Sequence, residues 1–319
     1  MKMEIFAAAA ALIAIFIALK FISDEIETSA TALAGRWKMP ATVAGATLLA
    51  IASSAPEFFT ATNSALFFGV FEIGLQTIIW SAIFNVLIIF GASALVAKKD
   101  LKLPRRGISR DLIFYFVTIL FLSFAIFDGA ISRAEAVGLV AFFAFYIAVL
   151  FFGKKEFDEN ESLEKVSQSR EKIFFTFVGG ISAIGFLCHS MIEHGLVLAE
   201  SLKLPVVVIS ALIFSIGTSV PDLFVSVAAA KKGNGASAIA NIFGSNTFDI
   251  CIGLGIPILI VGETSIEKSG TIGSIVLLFA SVILVAAMIL QNFKTSKLKG
   301  VAAIVAFVGA IGWFLQNSL

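Results

Sequence analysis

The sequence predicts an all-α membrane protein of ten transmembrane helices, arranged as two inverted five-helix repeats. Three observations predict it. First, 59% of the 319 residues are hydrophobic and only 14% are charged, with a mean hydropathy of +1.00; soluble domains carry about 25% charged residues. Second, ten apolar runs are each long enough to cross a bilayer, which takes roughly 20 residues. Third, the two halves of the chain match each other at a nearly constant offset. The 33 Phe suit a lipid-facing surface, and a net charge of +1 makes no case for nucleic-acid binding.

The ten runs are 4–34, 40–68, 72–97, 111–128, 134–152, 172–200, 205–230, 236–261, 270–291 and 299–316. The first could be taken for a signal peptide, but polar helical sequence comes after it and Lys2 is the only basic residue ahead of it, so it reads as a span. The first and sixth runs are longer than a span needs. Their second halves, Ser23–Gly35 and His189–Leu202, are amphipathic, which suggests tilt or a place lining the bundle.

Loop charge sets orientation. Lys and Arg come after the odd-numbered spans: Arg36 and Lys38 after the first, Lys98 to Arg110 the third, Lys154 to Lys172 the fifth, Lys231 and Lys232 the seventh, Lys294 to Lys299 the ninth. The even connections hold only Arg133, Lys203 and Lys268. Odd connections are therefore expected in the cytoplasm and both termini outside. Gly153–Lys172, the one long polar stretch, reads as a solvated cytoplasmic linker. It divides the chain into a first repeat (1–152), the linker (153–172) and a second repeat (173–319).

At an offset of 165, Lys38, Pro40, Val43, Ala46, Ile51, Ser54, Pro56 and Phe59 recur as Lys203, Pro205, Val208, Ala211, Ile216, Ser219, Pro221 and Phe224. Ser53/Thr218 and Glu57/Asp222 keep the chemistry. At offset 164, Ser81-Ala82-Ile83-Phe84-Asn85 faces Ser245-Asn246-Thr247-Phe248-Asp249. Five spans separate the repeats, an odd number, so the halves are expected to be inverted, as in many secondary transporters, whose site lies at the repeat interface. Pro56 and Pro221 supply the interruption: each lacks an N–H and clashes with the carbonyl four residues back, that of Ala52 or Gly217. Membrane helices tolerate freed carbonyls only where they face protein, water or an ion.

Glu57 and Asp222 each stand directly after their proline, and a carboxylate in a span marks an ion or substrate path. Ser53, Ser54, Thr218 and Ser219 lie within a turn of the acids; Asn85 and Asp249 lie on the next helices, with Ser81 and Ser245 one turn earlier on the same face. Carboxylate, hydroxyl, amide and carbonyl oxygens make a hard site of the kind Ca²⁺ takes, and no Cys or His nearby points to a softer metal. His189 and His194 are five residues apart, roughly 140° around a helix, which does not fit a zinc helix; an interfacial or pore-lining polar role is expected. Cys188 and Cys251 read as small buried hydrophobes.

These motifs resemble the α-repeats of the calcium/cation antiporter superfamily, the sodium/calcium exchangers. The resemblance rests on Ala44-Gly45-Ala46-Thr47 through Pro56-Glu57, on Gly217-Thr218-Ser219-Val220-Pro221-Asp222, and on Gly244 through Asp249. Phe84-Asn85 and Phe248-Asp249 are similar to the potassium-dependent branch. The resemblance implies Ca²⁺/Na⁺ antiport, with K⁺ co-transported in one branch, across the plasma membrane. It implies no cofactor and no enzymatic activity, only ions as substrates within a lipid bilayer. By position it implies Glu57 and Asp222 as shared ligands; Ser53, Ser54, Thr218 and Ser219 as hydroxyl and carbonyl ligands; Ala50 and Ser215 as carbonyl ligands; and Ser81, Asn85, Ser245 and Asp249 at flanking Na⁺ sites. It also implies that the long first and sixth helices slide over the other eight. Trp80, Gln76 and Ala82 depart from the pattern, standing opposite Gly244, Ala240 and Asn246. Trp80 is expected to narrow the path or shift helix packing. A proton-driven relative of the same fold and a cation channel stay open as alternatives.

Overall fold

The computed structural model describes residues 2–39, 44–152 and 168–318. The chain is nearly all helical. Its elements are α1 (Lys2–Arg36), a π turn (Gly45–Leu49), α2 (Ala50–Ser53), α3 (Ala55–Leu66), α4 (Phe71–Phe84), a π turn (Asn85–Ile89), α5 (Phe90–Val96), α6 (Arg105–Ala125) and α7 (Arg133–Phe152). After the linker come α8 (Arg170–Leu202), α9 (Val206–Ile209), a π turn (Ser210–Phe214), α10 (Ser215–Thr218), α11 (Val220–Lys231), α12 (Gly235–Phe248), a π turn (Asp249–Leu254), α13 (Gly255–Val261), α14 (Lys268–Leu290) and α15 (Lys297–Ser318).

Eight helices among the described residues are long and apolar enough to cross a membrane, and the bent pair Val206–Thr218 and Val220–Lys231 counts as a ninth. The expected run at 40–68 is not among them. Its residues 40–43, including Pro40, lie outside the described residues, and the remainder of the run is broken at Ser54. Most of the expected linker, 153–167, lies outside them as well.

Three details differ from the sequence reading. The fourth span starts at Arg105 rather than residue 111, because Pro104 has the extended backbone that precedes a helix and the basic residues behind it are good helix formers. Helix α8 already takes in 170–172, capped by the Ser169 hydroxyl accepting from the Lys172 N–H at 3.1 Å. The all-α expectation misses one short antiparallel ribbon, β1 (Ala130–Ile131) with β2 (Thr264–Ser265). Next to it, Ser132 and Glu135 cap α7 reciprocally.

Burial sorts the helices. The most apolar windows of Phe71–Val96 and Gly235–Val261 are 83% and 72% buried, those of α1 and α8 only 22% and 17%. The first two are the centre of the bundle; α1 and α8 pack lengthwise on each other at its edge. At ~1.5 Å per residue, α1 and α8 (35 and 33 residues) are far longer than a ~30 Å hydrocarbon core. Phe6, Phe21, Phe124, Phe127, Phe175 and Phe186 are exposed, as lipid-facing rings would be.

Connections meet in two groups. Odd ones touch odd ones: Leu103 N–H donates to the Phe293 carbonyl (2.9 Å), Thr295 N–H to that of Leu101 (3.1 Å), and Arg36 to the Gln168 carbonyl. Even ones touch even ones: the β1–β2 ribbon joins the fourth to the eighth, and a cavity of about 460 Å³ lies between Gly69–Glu72 and Glu263–Glu267.

The centre is tightly packed. A Cβ added at Gly74 on α4 would fall 2.5 Å from the Ala61 Cα on α3. Gly74→Ala is therefore expected to lower the thermal midpoint of the purified protein in detergent, by the ~1–3 kcal/mol that overpacking costs. A midpoint equal to wild type would contradict so close an approach.

Candidate functional site

The site is built on four helical stretches that are each locally widened, two of which are also broken. Helix α2 ends at Ser53 and α3 begins at Ala55; α10 ends at Thr218 and α11 begins at Val220. The residues between, Ser54 (φ −85°, ψ 4°) and Ser219 (φ −79°, ψ −1°), lie near the bridge region. Pro56 and Pro221 stand in the first turn of the next helix, where a missing N–H costs little. The second break bends its pair by 42°. Glu57 and Asp222 thus occupy helix first turns, where unsatisfied N–H groups favour a carboxylate.

The widened places are the π turns, which recur at functional sites in helices. Gly45–Leu49 and Ser210–Phe214 stand 165 residues apart, and Asn85 and Asp249, each opening a π turn, 164 apart. These are the offsets of the sequence match.

All twelve sequence-predicted residues are buried: Glu57, Asp222, Ser53, Ser54, Thr218, Ser219, Ala50, Ser215, Ser81, Asn85, Ser245 and Asp249. The structure joins some of them directly. Glu57 Oε1 accepts from the Ser81 hydroxyl (3.2 Å) and the Ser219 hydroxyl (3.3 Å), which lie 2.8 Å apart. Asp222 accepts from Asn85 Nδ2 at 3.1 Å on Oδ2 and from Asn241 Nδ2 at 3.3 Å on Oδ1. The breaks are internally alike: Ser53 donates to the Ala50 carbonyl (3.1 Å) and Thr218 to that of Ser215 (3.3 Å). Ser215 and Ser245 spend their hydroxyls on their own helices, on the carbonyls of Ala211 and Asn241.

The remaining polar atoms give the site its character. Ser54 Oγ, Glu57 Oε2, Asn85 Oδ1, Asn241 Oδ1 and both oxygens of Asp249 are buried without a hydrogen-bond partner among the described residues. All six are oxygens. Buried oxygens left unpaired cost free energy, and a hard cation is the partner that satisfies several at once. Among the described residues no three acidic, His or Cys side chains converge on one metal position, so hydroxyl and amide oxygens are needed beside the acids.

Several participants escaped the sequence reading. Asn241 donates to Asp222 and to Ser226 (3.2 Å). It lies one turn before Ser245 and two before Asp249, a stripe on one face that spacing alone displays. Tyr115 on α6 reaches the site through Asn246, at 3.1 Å, a contact no local pattern announces. Trp80 turns away from the site: its indole donates to Ser274 on α14 (3.1 Å) and stacks on Phe314 of α15, with ring centroids 4.5 Å apart. Gln76 joins the same seam, donating to Glu72 (2.8 Å) and Thr271 (3.0 Å) and accepting from Ser274 (2.9 Å). Both departures act on helix packing. His189 lies against Phe67 and Phe68, with Glu193 at 3.8 Å. Cys188 donates to the Pro56 carbonyl and Cys251 is buried.

Known proteins resemble this chain in sequence and in fold. The family model described as sodium/calcium exchanger protein matches residues 7–152 and 172–316. Sodium/potassium/calcium exchanger 1 of Bos taurus is 34% identical over 134 residues, covering 42% of this chain and 11% of that protein. The sodium-calcium exchanger NCX_Mj, in a structure soaked with Na⁺ and Sr²⁺, aligns over 97% of this chain and 98% of its own, with a TM-score of 0.68 and 23% identity. The H⁺/Ca²⁺ exchanger CAX aligns over 98% and 86%, with a TM-score of 0.76 and 15% identity. The fold is the one these structures share.

A cluster of buried carboxylates costs stability when no cation offsets it. Glu57→Gln is therefore expected to melt higher than wild type in Na⁺- and Ca²⁺-free buffer. Added Ca²⁺ should then raise the midpoint of wild type, by up to ~2.7 kcal/mol at a hundred times Kd, and leave the variant unmoved. A variant that melts lower, with an unchanged response to Ca²⁺, would mark Glu57 as structural.

Proposed function

The chain belongs to the sodium/calcium exchanger protein family, and we propose that it is a secondary active antiporter exchanging Ca²⁺ for Na⁺ by alternating access. One observation carries the reading: two proline-acid helix breaks, 165 residues apart in sequence, come together with serine and asparagine in a buried site of unpaired oxygens. In this reading Glu57 and Asp222 are the shared ligands. Ser53, Ser54, Thr218, Ser219 and the carbonyls of Ala50 and Ser215 ligate beside them, and Ser81, Asn85, Ser245 and Asp249 complete flanking Na⁺ sites.

The architecture proposed with it is ten spans in two inverted repeats, 1–152 and 173–319, joined by the linker at 153–172. The matched offsets of the π turns and breaks support the repeat. The inversion draws support from α1 and α8. The end of α1 meets the start of α8, where Ser29 donates to the Gln168 side chain (2.9 Å) and Arg36 to its carbonyl. Odd connections meeting odd ones, and even meeting even, suit a chain that alternates sides, with both termini outside the cell membrane.

Mutual exclusion comes from charge. Two carboxylates in a poorly solvated site repel when empty and are relieved by either one Ca²⁺ or several Na⁺. A loaded site is favoured in either orientation, and passage is thereby coupled to exchange. Similarity to a protein named sodium/potassium/calcium exchanger 1 makes K⁺ co-transport part of the proposal to be tested.

Reconstituted vesicles test it. Ca²⁺ uptake is expected against an outward Na⁺ gradient, and Glu57→Gln and Asp222→Asn should each abolish it. Adding K⁺ to either side reads the co-transport. Uptake on an outward H⁺ gradient alone would replace Na⁺ by H⁺ as the driving ion, and uptake with no gradient would make the protein a channel.

A further inference from the structure

The side-chain amide of Asn85 has two unlike ends, and its orientation decides what the site offers an ion. The orientation can be traced from a group that cannot turn round. The Ala82 backbone carbonyl only accepts, and Asn246 Nδ2 donates to it at 3.3 Å. The same Nδ2 donates to the Tyr115 hydroxyl at 3.1 Å. Both its protons are then used, so Asn246 Oδ1 faces the other way, where only a donor fits. Asn85 Nδ2 sits there at 2.9 Å and gives its second proton to Asp222 Oδ2 at 3.1 Å. What is left over is Asn85 Oδ1, buried and without a partner among the described residues.

We infer that Asn246, backed by Tyr115, is a positioning residue that fixes the Asn85 amide with its nitrogen on Asp222 and its oxygen toward the transported cation. A flipped Asn85 would set its oxygen against Asp222 Oδ2 and Asn246 Oδ1, acceptors with no proton to share. It would also turn its amino group toward the cation.

The same donor count gives Ala82 a role. At offset 164, Asn85 is matched by Asp249 and Asn246 by Ala82. A carboxylate has two equivalent oxygens and needs no orienting partner, so the position that would orient Asp249 can be an alanine. Only the amide half of the site needs an orienting side chain, and only that half has one. Tyr115 fits the assignment: its hydroxyl is buried and its ring packs on Phe243, with centroids 5.8 Å apart, so Phe can replace it in shape.

The inference rests on Asn85 being an ion ligand, and the experiment separates the two. Purified protein in detergent is titrated with Na⁺ alone and with Ca²⁺ alone, and the ion concentration for half-maximal thermal stabilisation is read. Asn246→Leu is expected to raise the Na⁺ requirement about tenfold, the scale of one lost hydrogen-bonded orientation. Tyr115→Phe should raise it a few-fold. In an Asn85→Asp background, where nothing needs orienting, neither change should add anything. Equal shifts in both backgrounds would make the role purely structural and overturn the inference. So would an unshifted Asn246→Leu beside an impaired Asn85→Ala. If Asn85→Ala itself leaves Na⁺ dependence unchanged, the ligand reading fails and takes the inference with it. Should Asn246→Leu not fold, Tyr115→Phe carries the same comparison with its ring packing intact: a shift confined to the Asn85 background supports the positioning role, and no shift overturns it.

Discussion

The structure depends on one constraint: acids have been placed in the buried interior, where protein groups satisfy them only in part. Asp249 has both oxygens buried and unpartnered among the described residues, and Glu57 has one. A carboxylate at mid-membrane costs several kcal/mol on its own, so everything near these groups either lowers that cost or leaves it for an ion to relieve. The helix breaks lower it, because they set Glu57 and Asp222 in helix first turns, where the helix dipole favours a carboxylate. Ser81, Ser219, Asn85 and Asn241 lower it further through hydrogen bonds to one oxygen or the other. The oxygens that remain are the part the protein declines to satisfy.

That division explains which features could be read in the sequence. Prolines beside acids, repeated in register, leave a mark because their chemistry is rare in a span. The π turns leave none, since one extra residue in a helical turn needs no special side chain; only the structure reveals that they share the offsets of the match. Asn241 was legible in principle, as a polar residue in line with Ser245 and Asp249. Tyr115 was not, because one tyrosine in an apolar helix reads as core until a partner from another helix is seen. For Trp80 the sequence left a narrowed path and shifted helix packing both open, because sequence gives a residue's size and not the direction it faces. In three dimensions Trp80 and Gln76 form a polar seam with Thr271 and Ser274 that holds α4 on α14.

The two long helices stand apart from this centre. They contribute none of the twelve candidate ligands, and their apolar windows are the least buried of the spans. Yet they are attached to the site by specific sockets. The Phe16 ring of α1 occupies the space a Cβ would need at Gly217, one residue before Thr218. The Phe214 ring fills the matching space at Gly195 on α8. Asn63 donates to the Gly185 carbonyl at 2.8 Å, and Cys188 to the Pro56 carbonyl at 3.4 Å. Glycine is required at Gly217 and Gly195 because a ring lies against bare backbone.

Such attachments bear on how an exchanger of the proposed kind would couple binding to movement. The pair α1 and α8 packs mainly on itself, and reaches the rest largely through α2, α3, α9, α10 and α11, the segments on either side of the two breaks. A cation that draws Glu57 and Asp222 together acts on those same segments. In such an exchanger, occupancy of the site would be linked to the position of the peripheral pair through a few short, interrupted helices that pack against the more deeply buried Phe71–Val96 and Gly235–Val261. The candidate ligands thus divide between two deeply buried helical stretches, which carry Ser81, Asn85, Ser245 and Asp249, and the interrupted segments in contact with α1 and α8, which carry Glu57 and Asp222.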